Sequence, residues 1–253
     1  MVKKEITEIR RNELLRIIIE QGSVRVGDAA KKLKVTPETI RKDIIYLDKH
    51  GLAKKSHGGA AAIGELIEKP FASRKDKNIE EKNEIALNAM QFVPDKGVIF
   101  LDSGSTVLAL ARLISMKSGL TVITNSIEAA NVLAGSDNNV HLTGGELRGV
   151  TMSLSGIWTK NALKSVKVDV AFLGTSGFKS FDGPCAESFV EAEVKTTMVE
   201  HSKKIVILAD STKFETDALV RYAEWIDIDI LVTDRKITNE RLQKLVNRVD
   251  VVF

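Results

Sequence analysis

The stretch Asp102-Ser103-Gly104-Ser105-Thr106 sets three hydroxyls and a glycine directly behind a carboxylate. It follows the apolar run Gly97–Leu101 and precedes a helical period from about Thr106 to Ile114. A strand-to-helix loop of this kind can cradle a phosphate. Gly104 lets a ligand approach the backbone, the hydroxyls donate, and the first N–H groups of a helix have no intrahelical partner. Ser105 could equally serve only as a helix cap. No Walker lysine follows, so a nucleotide P-loop is not indicated.

Other apolar runs end in the same manner, at Thr124-Asn125-Ser126, Thr143-Gly144-Gly145, Gly174-Thr175-Ser176-Gly177 and Asp210-Ser211-Thr212-Lys213-Phe214. Singly, each glycine pair reads as a tight turn and Lys213 as a solvated cation. Lys195 lies four residues after Glu191, where an i,i+4 ion pair competes with a ligand contact. Together these ends describe a rim around a polar small molecule. Asp102, Glu187 and Asp210 are carboxylates near strand ends or loops, the groups an aldose–ketose isomerase would need as a base. Metal chemistry is not indicated. Cys185 is the single cysteine, and His50, His57, His141 and His201 show no ligand spacing.

The elements that must position this rim are strands and helices in alternation. Strands are expected at Gly97–Asp102, Leu120–Thr124, Val140–Leu142, Val168–Leu173, Lys204–Ala209, Ile228–Thr233 and Val249–Phe253. Helices are expected around Ala129–Leu133 and at Trp158–Ser165, Glu187–His201 and Asn239–Asn247. Continuous apolar strands separated by helices predict an α/β domain with a largely parallel sheet covered on both faces, which binds ligands at the carboxyl ends of its strands. A short amphipathic helix with Ile85, Ala86, Ala89 and Met90 opens this domain. Before it, residues 61–80 read as a linker with Pro70-Phe71 as a buried anchor.

The charge balance singles out the start of the chain. The 253 residues carry a formal net charge of +3, but residues 1–60 hold 14 Lys and Arg against 8 Asp and Glu, a net of +6, and the remainder −3. A small basic module joined to a mildly acidic domain suggests a polyanionic partner. With 43% hydrophobic residues the chain is too apolar for disorder, yet no run approaches the eighteen apolar residues of a membrane span. The charged start MVKKEITEIRR lacks the apolar stretch of a signal peptide, so a soluble cytoplasmic protein is expected.

Within the basic module a helix is expected from Glu8 to Gln21, carrying Leu14, Ile17 and Ile18. The short stretch Ser23–Val26 and a second helix with Ala29, Ala30 and Leu33 follow. Thr36-Pro37-Glu38 then reads as cap, first-turn proline and acidic first turn of a third helix that runs to about His50. Its apolar stripe is Ile40, Ile44 and Leu47, leaving Glu38, Thr39, Lys42, Tyr46 and Lys49 outward with Arg41 and Ile45 on the flanks. Two short helices joined by a tight turn form a helix-turn-helix, whose second helix suits the major groove. Leu52–Ala60 reads as a basic hairpin, a wing bearing Lys54, Lys55 and His57. A helical bundle with merely solvated cations is the alternative. Ile45 either packs on the wing or touches a thymine methyl, and packing is expected.

Thr39-Ile40-Arg41-Lys42-Asp43, Gly51-Leu52 and His57-Gly58-Gly59-Ala60 resemble the start of DeoR/GlpR-family bacterial transcription regulators. The resemblance continues through Pro70-Phe71 with Arg74, Glu81-Lys82, Asp102–Thr106, Thr124–Ser126, Gly144-Gly145, Gly174 with Gly177, Glu191 with Val194-Lys195, and Ala209–Phe214. It implies an N-terminal winged helix-turn-helix over residues 1–60 and a larger α/β sensor domain over 81–253. That sensor domain would resemble ribose-5-phosphate isomerase and bind a phosphorylated sugar. Carried over by position, Ser103, Gly104, Ser105 and Thr106 would hold the phosphate. Asp102, Asn125, the loop Gly174, Thr175, Ser176 and Gly177, and Lys195 and Lys213 would surround the sugar, with Gly144 and Asp210 on the same rim. The stretch Phe181–Ala186 departs from the family pattern and is expected to help distinguish one sugar from another.

These readings converge on a DNA-binding regulator, a repressor of a carbohydrate-use operon whose affinity for double-stranded operator DNA is set by a phosphorylated sugar. Thr36, Glu38, Thr39, Arg41, Lys42 and Tyr46 would read the groove, and Lys54, Lys55 and His57 would meet the backbone or minor groove. No cofactor, metal, membrane or catalytic turnover is expected, and self-association as a dimer or tetramer is. The competing reading is an isomerase-like enzyme carrying a nucleic-acid-binding module. It is disfavoured because Gly174-Thr175-Ser176-Gly177 lacks the aspartates of the isomerases it resembles.

Overall fold

Leu14, Ile17 and Ile18 of one helix meet Ile40, Ile44 and Leu47 of another in a small apolar core closed by Val24, Ala53 and Ala60. The computed structural model describes residues 2–21, 23–50, 52–56, 58–61, 71–178, 182–245 and 247–253. The chain divides into two compact units, Met1–Ser73 and Arg74–Phe253.

The first unit contains α1 (Val2–Gln21), β1 (Ser23–Arg25), α2 (Val26–Lys32), α3 (Pro37–Lys49), β2 (Lys54–Ser56) and β3 (Gly59–Ala61). β3 pairs antiparallel with both β1 and β2, so the hairpin β2–β3 is the expected wing. A Cβ on Gly59 would lie 2.0 Å from the Val24 carbonyl oxygen, and glycine is what lets β3 approach β1 so closely. Thr36 caps α3, its hydroxyl oxygen accepting the Thr39 N–H at 3.3 Å, and Pro37 occupies the first turn. α1 starts about two turns earlier than expected, at Val2.

α4 (Phe71–Lys75), whose Phe71 is buried, runs across the boundary, and the second unit continues with α5 (Ile79–Ala89), β4 (Gly97–Leu101), α6 (Ser105–Ile114), β5 (Leu120–Thr124), α7 (Ile127–Leu133), β6 (Asn139–Leu142), β7 (Glu146–Arg148) and β8 (Ser153–Ser155). Then follow α8 (Ile157–Lys164), β9 (Val170–Gly174), β10 (Cys185–Ala186), α9 (Phe189–Glu200), β11 (Ile205–Leu208), β12 (Val220–Arg221), β13 (Ile230–Val232), α10 (Asn239–Leu245) and β14 (Asp250–Val252). Seven strands form one parallel sheet in the order β14-β13-β11-β9-β4-β5-β6.

Side chains alternate across this sheet, as a strand's two-residue period requires. Ile99, Leu101, Val170, Phe172, Val206 and Leu208 pack with residues of α5, α6 and α7. Phe100, Ala171, Leu173, Ile205 and Ile207 pack with α8, α9 and α10. Both faces are thus covered, which is why the strands read as continuous apolar runs. β6 departs from this: it is an edge strand with His141 and Leu142 exposed, not a buried one. The antiparallel pairs β7–β8 and β10–β12 were not anticipated either. Among the described residues no helix is long and apolar enough to cross a membrane.

Candidate functional site

From β4 the sheet is laid out through β5 and β6 on one side and through β9, β11, β13 and β14 on the other. The chain order reverses between β4 and β9, the place where open α/β sheets leave a crevice for ligands. Asp102 stands at the end of β4 and Gly174 at the end of β9. One Asp102 oxygen, Oδ2, accepts the Gly174 N–H at 3.0 Å and a bond from the Lys195 ammonium. Lys195, buried on α9, also donates to the Gly174 carbonyl at 3.1 Å and lies 3.4 Å from Glu191 Oε1. Tyr222 donates its hydroxyl to the same carbonyl at 2.8 Å.

This cluster brings one cation and two carboxylates out of water. Burial pushes the Asp102 carboxyl above the usual carboxylate range, against the pull of Lys195. For Lys195, burial disfavours the charge, but Asp102 and Glu191 outweigh it and raise the ammonium's pKa. The i,i+4 pair with Glu191 therefore exists and does not replace a position in the site; Lys195 makes both. The second Asp102 oxygen, Oδ1, is buried and has no hydrogen-bond partner among the described residues, and the same holds for Asn125 Oδ1 at the end of β5. Asn125 spends its amide on the Leu154 carbonyl at 3.2 Å. Two buried acceptors without donors are costly unless something supplies hydrogens. Sugar hydroxyls are such donors.

Gly104, at φ +150°, caps α6 without a side-chain bond, and a Cβ placed there would meet no atom within 4 Å. The start of α6 thus opens onto free space, with Ser103 and Thr106 buried beside it and Ser105 half-buried. At the end of β11, Asp210 is buried and accepts from the Thr212 N–H at 3.2 Å and from Asn78 at 3.3 Å. Lys82 of α5 donates to the Arg74 carbonyl at 2.5 Å and to that of Lys77. Burial pushes its pKa down to about 8; Asp210 opposes this, while Lys213, Arg74 and Lys77 add to it. Lys82, Lys213, Arg74 and Lys77 thus lie near enough to act on one another, with the carboxylate of Asp210 among them.

Lys82 was not among the expected site residues, yet the sequence carried a signal. Lys82, Ile85, Ala86 and Ala89 are the buried residues of α5, a lysine standing on an apolar stripe. Other expected residues are engaged in structure. The Thr175 hydroxyl bonds the Gly177 and Cys185 carbonyls at 2.7 and 3.0 Å, and the Ser176 N–H goes to Cys185. A Cβ on Gly177 would lie 1.9 Å from the Thr216 carbonyl oxygen, so that glycine serves packing. Gly144 accepts the Thr159 hydroxyl at 2.6 Å at the end of the edge strand β6. Phe181 in the expected specificity loop lies outside the described residues.

On α3, Ile40, Asp43, Ile44 and Leu47 are buried. Asp43 is held there by Arg10 at 2.6 and 3.2 Å and by Arg11 at 2.9 Å, both from α1. Adding Asp43 to the buried stripe turns the outward face by roughly 20° toward Ile45. At about 100° per residue, Glu38, Lys42, Ile45 and Lys49 fall together opposite the core, with Arg41 beside them. Arg41 pairs with Glu38 at 3.1 Å. Tyr46 is exposed, as expected, and its ring also lies 3.6 Å from the Arg11 guanidinium and stacks on His50 at 3.9 Å. Ile45, expected to pack on the wing, is instead 50% exposed. Lys54 and Lys55 are exposed on β2, and the Lys55 N–H bonds Asp48 at 2.8 Å. His57 lies outside the described residues.

Residues 10–65 match the DeoR-like helix-turn-helix domain and residues 77–235 the DeoR C terminal sensor domain. The chain is 34% identical over 239 residues to the HTH-type transcriptional regulator GolR of Listeria innocua, covering 93% of each chain. It is 31% identical over 227 residues to the glycerol-3-phosphate regulon repressor of Escherichia coli, covering 89% of this chain and 90% of that one. Among solved structures, ribose 5-phosphate isomerase A from Methanocaldococcus jannaschii overlaps at 18% identity over 55% of each chain, with a TM-score of 0.40.

Proposed function

The chain belongs to the DeoR family of transcription regulators, and from that premise we propose that it represses a carbohydrate-use operon under the control of a phosphorylated sugar. α3 and the wing bind operator DNA, and two copies read two half-sites, as symmetric helix-turn-helix regulators do. The sugar phosphate binds at the strand ends of the second unit, its hydroxyls meeting Asp102 and Asn125. Its phosphate meets the start of α6 and the cations around Lys82 and Lys213.

The observation that carries the sensor reading is the pair of buried acceptors without a hydrogen-bond partner among the described residues, on Asp102 beside the switch point at the end of β4 and on Asn125 at the end of the adjacent β5. The relatives' names agree with it, since one is a repressor of a glycerol-3-phosphate regulon. Binding without turnover is part of the same proposal. Lys195, the cation nearest Asp102, already bonds three oxygens of the protein, which suits holding a site in shape. The test is a thermal-shift screen against sugars in matched free and phosphorylated forms. A ligand at one hundred times its Kd stabilises the native state by about 2.7 kcal/mol. Stabilisation by phosphorylated members alone supports the reading, and conversion of the bound sugar to its isomer would replace it with the enzymatic one.

A further inference from the structure

We propose that Ile45 is a base-reading residue of α3, making apolar contact with the methyl group of a thymine in the major groove. This rests on the operator-binding reading above and goes further by assigning a specificity determinant. Ile45 is 50% exposed, whereas its neighbour Ile44 is 2% exposed and Ile40 fully buried. A single exposed apolar side chain is ordinary on a protein surface. Its position distinguishes this one. It lies on the outward face between Arg41 on one side and Glu38, Lys49 and Lys42 on the other, about 30° from the point directly opposite the buried stripe at 100° per residue.

The other uncharged candidates on α3 are already engaged. The Thr39 hydroxyl bonds that of Thr36 at 2.9 Å in the cap. The Tyr46 ring is covered by Arg11 and stacks on His50. Ile45 is the more exposed of the two large uncharged side chains that α3 presents outside the core, at 50% against 37% for Tyr46, and it lies between cations suited to phosphates. The major groove offers one apolar group on its base edges, the C5 methyl of thymine. A helix docked with Arg41, Lys42 and Lys49 toward the duplex brings Ile45 to the groove floor with no hydrogen-bonding capacity of its own. It discriminates by burying that methyl and excluding water.

The experiment uses the full chain and a duplex enriched by it from a random-sequence pool. Each thymine of that duplex is replaced in turn by deoxyuridine, which removes the methyl and leaves base pairing intact. Affinity is measured for the wild-type chain and for Ile45→Ala. The proposal expects a thymine, repeated in each half-site, at which uracil weakens the wild type about fourfold, the value of one buried methyl. Ile45→Ala is weakened on the parent duplex by at least as much and is indifferent to uracil at that position. Its thermal midpoint and its affinity for unrelated duplex stay at wild-type values, because the side chain is exposed and uncharged. Uracil effects that are equal in both proteins, or absent throughout, overturn the assignment while leaving operator binding intact. Failure to enrich any duplex contradicts operator binding itself, and this assignment falls with it.

Discussion

Lys195 reaches from α9 to Asp102 at the end of β4, across the point where the sheet reverses its strand order, and engages only one of the two carboxylate oxygens. The pair is fully enclosed and shared with Glu191, so it holds the end of β4, the end of β9 and α9 together while leaving one acceptor for a ligand.

Removing the cation strands two carboxylates in a buried place. Lys195→Met is expected to destabilise the second unit by about 3–5 kcal/mol, the usual cost of breaking a buried ion pair from one side. Both tryptophans, Trp158 and Trp225, lie in this unit. Urea unfolding followed by their fluorescence reads the loss, and an unchanged midpoint would mean the pair holds nothing.

Two glycines of the rim separate structure from binding. Gly177→Ala drives a Cβ to 1.9 Å from the Thr216 carbonyl oxygen, and overpacking of this kind costs about 1–3 kcal/mol. Gly104→Ala meets open space but needs a φ of +150° that alanine resists, and its methyl would point where a phosphate is proposed to lie. Gly177→Ala is expected to lower stability chiefly. Gly104→Ala is expected to abolish stabilisation by sugar phosphates while operator affinity persists. The same thermal-shift and gel-shift measurements on both variants decide.

Lys82 gives the site a pH dependence. In the ligand-free protein its pKa lies at about 8, so it is charged below that value and neutral above it. A phosphate whose second pKa is about 6 stays dianionic throughout. Affinity for the sugar phosphate is therefore expected to fall as pH rises from 7 to 9, with proton uptake on binding in the upper half of that range. Calorimetry in two buffers of different ionisation enthalpy measures both, and flat affinity with no proton uptake would remove Lys82 from the site.

Asp43 ties α1 to α3 through Arg10 and Arg11, and the hydrogen bond to Asp43 holds the Arg10 pKa above its ordinary value despite partial burial. Asp43→Ala is expected to cost the first unit about 2 kcal/mol, less than a fully buried pair because the arginines keep access to water. Operator affinity falls with it, while response to sugar phosphates in the second unit is unchanged. Circular dichroism and operator binding check the two halves.

Those same arginines explain what the sequence conceals on α3. The three-helix order, the Thr36 cap and the wing were legible because they follow from local period, turn chemistry and alternation. The angle of the reading face was not, because Asp43 counts as polar by type but is buried through partners more than thirty residues away. That shift, roughly 20° at 100° per residue, turns the outward face toward Ile45, while Tyr46 stays exposed beside it. In the second unit the strand ends were legible for the same local reasons; the resemblance put Asp102 and Lys195 around one ligand, and the bond between the two was not among its implications. Thr175 is consumed within its own loop, by Gly177 and Cys185, and the crowding at Gly177 comes from Thr216, distant in sequence; glycine-rich spelling alone cannot separate a turn from a cradle. Lys82 shows the reverse: it was not expected in the site, although its place on the apolar stripe of α5 was a signal that periodicity could have given.

The central claim, that sugar phosphate at the strand ends sets operator affinity, is tested most directly by fluorescence anisotropy. A labelled operator duplex is titrated with the full chain, with and without the sugar phosphate that gives the largest thermal shift. The account predicts that this compound changes operator affinity by roughly 5- to 150-fold, the usual range of coupling between sites. Its unphosphorylated counterpart should change nothing, and the effect should vanish in Asn125→Ala, which keeps operator affinity. Operator affinity indifferent to every phosphorylated sugar that binds, or a full response in Asn125→Ala, would contradict it.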